Sequence, residues 1–245
     1  MTNGSDKKLR RLAVNEIFGP TIQGEGFNLG MPTMFLRLAG CNQHCVWCDT
    51  PYTWDWTGRN GVVYNPAEEV RVIEWPEVAY QLRHRSDGKH NLVVSGGEPL
   101  LQQVALQPLC EALREEGWWV EMETAGSIFP ALNDLVDLYT VSPKLSSSKN
   151  EDNIRLHDQA LKKFSLLARE GKAVFKFVVA HEKDLNEVDE LVTQYQLSPV
   201  YLMPEGKDAY SVQSHLNDLV DFAIQKNYRL TTRLQIVLYG NRRGV

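Results

Sequence analysis

The chain has 245 residues, 43% of them hydrophobic, with 26 Lys and Arg against 31 Asp and Glu for a formal charge of −5. That balance excludes disordered and collagen-like classes and supplies enough apolar material for a sizeable core. Scattered basic residues on an acidic chain also argue against direct nucleic-acid binding.

The first residues, MTNGSDKKLRRLA, hold the one basic cluster, Lys7, Lys8, Arg10 and Arg11, and residues 1–12 are expected to form a flexible basic tail. They lack the apolar core of a secretory signal, and no stretch reaches the ~18 apolar residues of a membrane span, so the expected setting is cytoplasmic with no membrane. Apolar, β-leaning runs then recur at Thr33–Leu38, Leu92–Ser95, Trp118–Glu123, Leu138–Ser142, Ala173–Val179, Val200–Met203 and Leu234–Leu238. Most are continuous rather than alternating, as in strands covered on both faces. Helical periods lie between them, at Leu185, Val188, Leu191, Val192 and Tyr195, and at Val212, Leu216, Leu219, Val220, Ala223 and Ile224. Strands alternating with helices predict βα units, and with no linker, repeat or composition break the expectation is one α/β domain over residues 1–245. Residues 51–66 (PYTWDWTGRNGVVYNP) read as a loop insertion near the site, either a cover over a ligand or a surface loop pinned by its aromatics. Residues 146–153 form a polar loop.

In βα architectures sites gather where strands end. Here TMFLRLAG leads into Cys41-Asn-Gln-His-Cys45-Val-Trp-Cys48, LVVS into Gly96-Gly97-Glu98-Pro99, WWVEME into Thr124-Ala-Gly126, and LYTV into Ser142-Pro143-Lys144. The triplet C-x3-C-x2-C suits an iron-sulfur cluster on three thiolates with one iron open, because a fourth cysteine would close a 4Fe-4S cluster. The alternative is a zinc site completed by His44 or a distant residue. Cys110 falls in the helical face Leu106–Leu113 and reads as a buried structural thiol.

The triplet after a strand, with Trp47 before the last cysteine and Gly96-Gly97-Glu98-Pro99 about fifty residues on, resembles the radical S-adenosylmethionine (SAM) superfamily. The resemblance implies a cluster whose open iron is chelated by SAM, whose reductive cleavage releases a 5′-deoxyadenosyl radical, and a GGEP strand end that receives the methionine amino group. Phe18-Gly-Pro-Thr-Ile-Gln23-Gly24-Glu25-Gly26, Gly30-Met-Pro32, Phe35-Leu-Arg37-Leu-Ala-Gly40-Cys41-Asn42, Trp47-Cys48-Asp49-Thr50, Glu123-Thr124 and Val141-Ser142-Pro143-Lys144 resemble, within it, the 7-carboxy-7-deazaguanine synthase family. That closer resemblance implies a lyase that converts 6-carboxy-5,6,7,8-tetrahydropterin to 7-carboxy-7-deazaguanine with loss of ammonia, on the route to queuosine and other deazapurines. Hydrogen abstraction at the carbon bearing the carboxylate, ring contraction and return of the hydrogen to regenerate SAM would follow. The resemblance also implies an incomplete (β/α)6 barrel, a homodimer and an external electron donor of flavodoxin or ferredoxin type.

A pterin presents a donor-rich edge and a carboxylate, so its site needs an acidic acceptor and a basic clamp, which Glu25 and Arg37 supply. Arg37 within an apolar strand is the sharper anomaly, since a buried arginine needs a partner. By resemblance Gln23 and Glu25 hold the ring, Arg37 meets the carboxylate, Thr50 binds Mg2+ together with that carboxylate, and Ser95, Gly96, Gly97, Glu98, Glu123, Ser142 and Lys144 face SAM. Thr50 could instead cap a turn, and the strand-end residues could be ordinary polarity. One departure stands out. The segment Arg233-Leu234-Gln235-Ile236-Val237 aligns with a strand that in many relatives carries a substrate-contacting His, and Gln235 can hydrogen-bond there but not titrate. The ending Gly240–Val245 is either a free tail or reaches the site. Two rivals remain: another small radical SAM enzyme such as a glycyl-radical activase, and a zinc-stabilised binding module.

Overall fold

The structure is a computed structural model, and it describes residues 10–245. These residues form one nine-stranded sheet in the order β3-β1-β2-β4-β5-β6-β7-β8-β9. The strands are β1 (Arg11–Ile22), β2 (Pro32–Leu38), β3 (Arg71–Glu74), β4 (Asn91–Gly96), β5 (Trp119–Thr124), β6 (Leu138–Val141), β7 (Ala173–Val179), β8 (Val200–Pro204) and β9 (Arg229–Leu230). From β2 to β9 every pairing is parallel, whereas β1 runs antiparallel to both β2 and β3. The sheet is not closed, as the expected incomplete barrel requires. Six of the apolar runs become its long parallel strands, each to within one residue at either end.

The helices are α1 (Pro66–Glu69), α2 (Trp75–Arg85), α3 (Gln103–Glu115), α4 (Asp152–Arg155), α5 (Asp158–Arg169), α6 (Asp184–Tyr195), α7 (Ala209–Asp218), α8 (Val220–Lys226) and α9 (Leu234–Tyr239). In α5 the Nδ1 of His157 caps the first turn by accepting from the Ala160 amide at 3.1 Å. Ala160, Leu161, Phe164 and Leu167 then form the buried stripe that a 3.6-residue period puts on one face. Outward strand residues Leu36, Val94, Met122, Tyr139, Phe175 and Phe177 meet such stripes in one continuous core. Each large side chain buried there contributes roughly 1.5–3 kcal/mol. The alternate residues, Arg37, Ser95, Glu121, Glu123, Thr140 and Lys176, point into the barrel, where Leu138, Val174 and Tyr201 make a separate apolar cluster. Cys110 is fully buried in α3, as expected of a structural thiol.

Two expectations change and two become more specific. Leu234–Leu238 is the helix α9 and not a strand. Only Ile236 of it is buried, Val237 and Leu238 being 48% and 52% exposed, and so short an apolar run carries no period to decide between the two. The supposed tail is ordered from its last residues: Arg11 and Leu12 pair with Glu74 and Ile73, and Leu12 is fully buried, while Lys7 and Lys8 lie outside the described residues. The period over Val212–Ile224 is two helices that meet at Leu219. The 51–66 loop divides: Thr53, Trp54 and Asp55 are buried, and Asp55 fixes the return by accepting from the amides of Arg59 and Asn60 at 2.9 and 2.7 Å, whereas Val62 and Val63 are exposed. Among the described residues no helix is long and apolar enough to cross a membrane.

Candidate active site

The inner face of the sheet and the loops at its strand ends enclose a cavity of about 240 Å3. Its walls include Gln23, Glu25, Arg37, Cys41, Cys45, Cys48, Thr50, Ser95, Gly96, Gly97, Glu123, Ser142, Lys144 and Gln235, so all but one of the candidate residues come together. Glu98 is the exception. It is fully buried behind the wall, where Oε1 accepts from the Leu100 amide and the Thr124 hydroxyl at 3.0 and 2.8 Å and Oε2 from the Ala125 amide at 2.7 Å. Its carboxylate orders the end of β5.

In the cavity wall each cysteine sulfur accepts an N–H. Cys41 takes the Gln43 amide at 3.4 Å, Cys45 the Asn150 side chain at 3.3 Å and Cys48 the Trp54 indole at 3.4 Å. Burial raises all three thiols, Cys41 to about 12, so a bound cation is what would hold them as thiolates. Between them Gln43 is 1% exposed and lines the cavity, and neither its Nε2 nor its Oε1 has a hydrogen-bond partner among the described residues. The Trp47 Nε1 is in the same condition. Buried polar atoms of this kind call for polar groups within the cavity. Three sulfurs with N–H donors and unsatisfied amide atoms beside them fit an iron-sulfur cluster, whose sulfurs and sulfides accept such bonds. Zinc fits less well. The His44 ring packs edge-on against Trp54 at 5.0 Å, and among the described residues no three His, Cys, Asp or Glu groups converge on one ion. The Thr50 hydroxyl does not cap the turn that follows it and sits 3.7 Å from the Cys48 sulfur, facing the cavity.

The same cavity also holds a buried ionic network. Glu25 Oε2 accepts from Lys176 Nζ at 2.5 Å, and Oε1 from Gln235 Nε2 at 2.6 Å and Arg233 Nε at 3.3 Å. Burial alone would raise this carboxyl, but Lys176 and Arg233 outweigh it and bring Glu25 down to about 2. Arg233 also pairs with Asp49. Gln23 donates to Glu123 at 3.2 Å, and Ser95 donates to the other Glu123 oxygen at 3.0 Å. Arg37 donates through Nε to Glu16 at 2.9 Å, and its Nη groups make no hydrogen bond among the described residues. Lys144 lies over the Trp47 ring and donates to the Ser142 hydroxyl at 3.0 Å.

The radical SAM superfamily profile matches residues 36–194. The 7-carboxy-7-deazaguanine synthase of Pyrobaculum aerophilum is 40% identical over 239 residues, which cover 96% of this chain and 97% of that protein. The chain belongs to the 7-carboxy-7-deazaguanine synthase family. A second 7-carboxy-7-deazaguanine synthase, from Bacillus subtilis, is 32% identical over 248 residues, covering 96% and 98% of the two chains. The crystal structure of QueE from Escherichia coli has the same fold, with a TM-score of 0.72 at 23% identity over 95% of this chain and 100% of that one.

Within this family member the residues that sequence reasoning missed are mostly charged. Lys176 sits in the apolar run Ala173–Val179, the same anomaly that marks Arg37, and could have been found by it. Arg233, Asp49 and Glu16 carry no such mark. Glu121, below the cavity floor, is 1% exposed and accepts from Thr140 at 2.5 Å and Asn28 at 2.7 Å. Burial, and then the neighbouring Glu123, raise it from 4.5 to about 7. The folded state therefore holds this proton more tightly than the unfolded chain, so stability falls as pH rises from 4.5 to 7 and stays lower above that. Glu121→Gln should raise the unfolding free energy by about 3 kcal/mol at pH 8 and leave it nearly unchanged at pH 4. Denaturant unfolding at both pH values checks this, and equal changes at the two would remove the ionised carboxylate as the cause.

Proposed function

We propose that this chain is a radical SAM lyase that converts 6-carboxy-5,6,7,8-tetrahydropterin to 7-carboxy-7-deazaguanine with release of ammonia, a step of queuosine and 7-deazapurine biosynthesis. The observation that carries the reading is one cavity lined both by three cysteine thiols and by an ionised, lysine-paired Glu25 with a free-ended Arg37. Cys41, Cys45 and Cys48 would hold a 4Fe-4S cluster, and Thr50 would hold Mg2+ together with the substrate carboxylate. When bound, the cluster supplies the electron that cleaves SAM to a 5′-deoxyadenosyl radical.

The chain's own residues position and shield. A carboxylate offers about four acceptor sites, and Lys176, Arg233 and Gln235 occupy three of those on Glu25, leaving one on Oε2 for a pterin N–H. Arg37 turns both Nη groups to a carboxylate in the fork geometry that guanidinium favours. Gly96, Gly97, Ser142 and Lys144 face SAM, and the buried Trp54 helps to exclude water. Glu123, tied to Gln23 and Ser95, links the two halves. One domain carries the whole site. An external flavodoxin- or ferredoxin-type donor supplies the electron, and the family resemblance supports a homodimer. A cluster with an open iron suits the reducing cytoplasm.

The test is anaerobic reconstitution with iron and sulfide, then incubation with SAM, reductant, Mg2+ and 6-carboxytetrahydropterin, with products followed by mass. The expected result is 7-carboxy-7-deazaguanine with little net consumption of SAM. A brown protein that cleaves SAM yet leaves the pterin untouched points to another radical SAM reaction, such as glycyl-radical activation. A colourless zinc protein would overturn both.

A further inference from the structure

We infer that Arg243 is a positioning residue for the substrate clamp: the C-terminal segment folds back as a strap, Arg243 fixes Glu16, and Glu16 fixes Arg37. The inference rests on the reading of Arg37 as the group that meets the substrate carboxylate. Glu16 and Arg37 stand opposite each other on β1 and β2. The Glu16 carboxylate is divided between two guanidiniums, Oε2 accepting from Arg37 Nε at 2.9 Å and Oε1 from Arg243 Nε at 2.6 Å. That division decides how Arg37 can be used. With Oε1 occupied, Arg37 bonds through Nε alone and keeps both Nη groups for the cavity. With Oε1 free, Arg37 can form the two-pronged pair with Glu16 that guanidinium and carboxylate geometry favours, which turns an Nη group away from substrate.

Arg243 is held in a built socket. Its Nη2 donates to Glu69 at 2.6 Å and to the Asn15 side-chain oxygen at 3.2 Å, and its guanidinium carbon lies 3.9 Å from the centre of the Tyr52 ring. Asn15 is itself buried and donates to the Glu69 backbone carbonyl at 2.7 Å, so the socket joins β1, the turn after the cysteines and α1. Two half-buried acids, Glu16 and Glu69, face two cations, Arg37 and Arg243, and removal of Arg243 leaves Glu16 to Arg37 and takes the ion-pair partner from Glu69. Exposed ion pairs contribute little, but these carboxylates are 14% and 16% exposed and the cation also stacks on an aromatic ring. Val245, two residues on, lines the cavity, so the strap reaches the site.

The experiment uses the reconstituted holoenzyme with Arg243→Ala and Arg243→Lys. Arg243→Ala should raise the KM for the pterin about tenfold while the KM for SAM and the slow SAM cleavage without pterin stay at wild-type values. Arg243→Lys should recover less than half of that change, because a point charge cannot hold Glu16 and Glu69 together. A general loss of structure would move both KM values. An unchanged pterin KM in an enzyme that turns the pterin over overturns the inference. If the wild-type enzyme leaves the pterin untouched, the functional reading fails, and the strap is judged by hydrogen exchange without substrate: faster exchange of residues 51–57 in Arg243→Ala supports it, and unchanged exchange overturns it.

Discussion

Replacing Lys176 with Met should destabilise the protein by about 3–5 kcal/mol at pH 7 and abolish measurable pterin turnover, because it removes one partner of a buried ion pair and leaves the other. Lys176 is 5% exposed, with Nζ 2.5 Å from Glu25 and 3.9 Å from Glu123. Met keeps the volume and loses the charge, so packing changes contribute little. The pH dependence has a definite sign. Lys176 and Arg233 hold Glu25 at about 2, so their favourable contribution is complete above the ordinary carboxylate value of 4.5 and is lost as pH falls from 4.5 towards 2. Without Lys176 the carboxyl titrates higher and becomes neutral sooner. The gap between variant and wild type should therefore be widest at pH 7 and narrow by pH 4 in urea unfolding. Lys176→Met combined with Glu25→Gln should recover most of the lost stability and none of the turnover. A gap that does not change with pH would mean that Lys176 acts through packing alone.

The long parallel strands and the cysteine and glycine motifs were legible because each leaves a local mark: a continuous apolar run, or residue types at fixed spacing. Strand β1 left none. Its sequence RLAVNEIFGPTI interrupts the apolar pattern with Asn15 and Glu16, the residues that receive Arg243 and Arg37. The same polar residues that make β1 functional hide it as a strand. Leu234–Leu238 misled for the opposite reason, since an apolar run need not be buried, and α9 is anchored chiefly by Ile236 and by the Leu234 amide donating to the Gly24 carbonyl at 2.9 Å. That anchor brings Gln235 to Glu25 across 210 positions of sequence, a contact no local pattern encodes. At Glu98 the motif is legible in the sequence, but the partners of its carboxylate at the end of β5 are not, because they lie 26 and 27 residues away.

Gly97→Ala should leave a folded protein that cleaves SAM about a hundredfold more slowly. A Cβ at position 97 would lie 2.0 Å from the Gly40 carbonyl oxygen, 2.6 Å from its carbon and 3.0 Å from the Cys41 Cβ. All three are backbone or the root of a side chain, so no flexible tip can move aside, and either the Gly97 turn or the Gly40-Cys41 segment must shift. Both shifts strike the site. The amides of Gly97 and Glu98 donate to the Leu38 and Gly40 carbonyls at 3.0 and 2.8 Å, which fixes the glycine turn against the segment that carries Cys41. A displacement of about 1 Å is enough to cost on the order of a hundredfold in a reaction that depends on alignment, and here the Gly96-Gly97 turn proposed to hold SAM would move relative to Cys41. The strain costs the fold about 1–3 kcal/mol, within what a domain of this size tolerates. Iron content, SAM binding and the rate of 5′-deoxyadenosine formation, measured on the reconstituted variant, separate the two shifts. Full iron with lost SAM binding places the movement in the glycine turn, lost iron places it at Cys41, and wild-type cleavage would show that the close approach of the two segments is not needed for the chemistry.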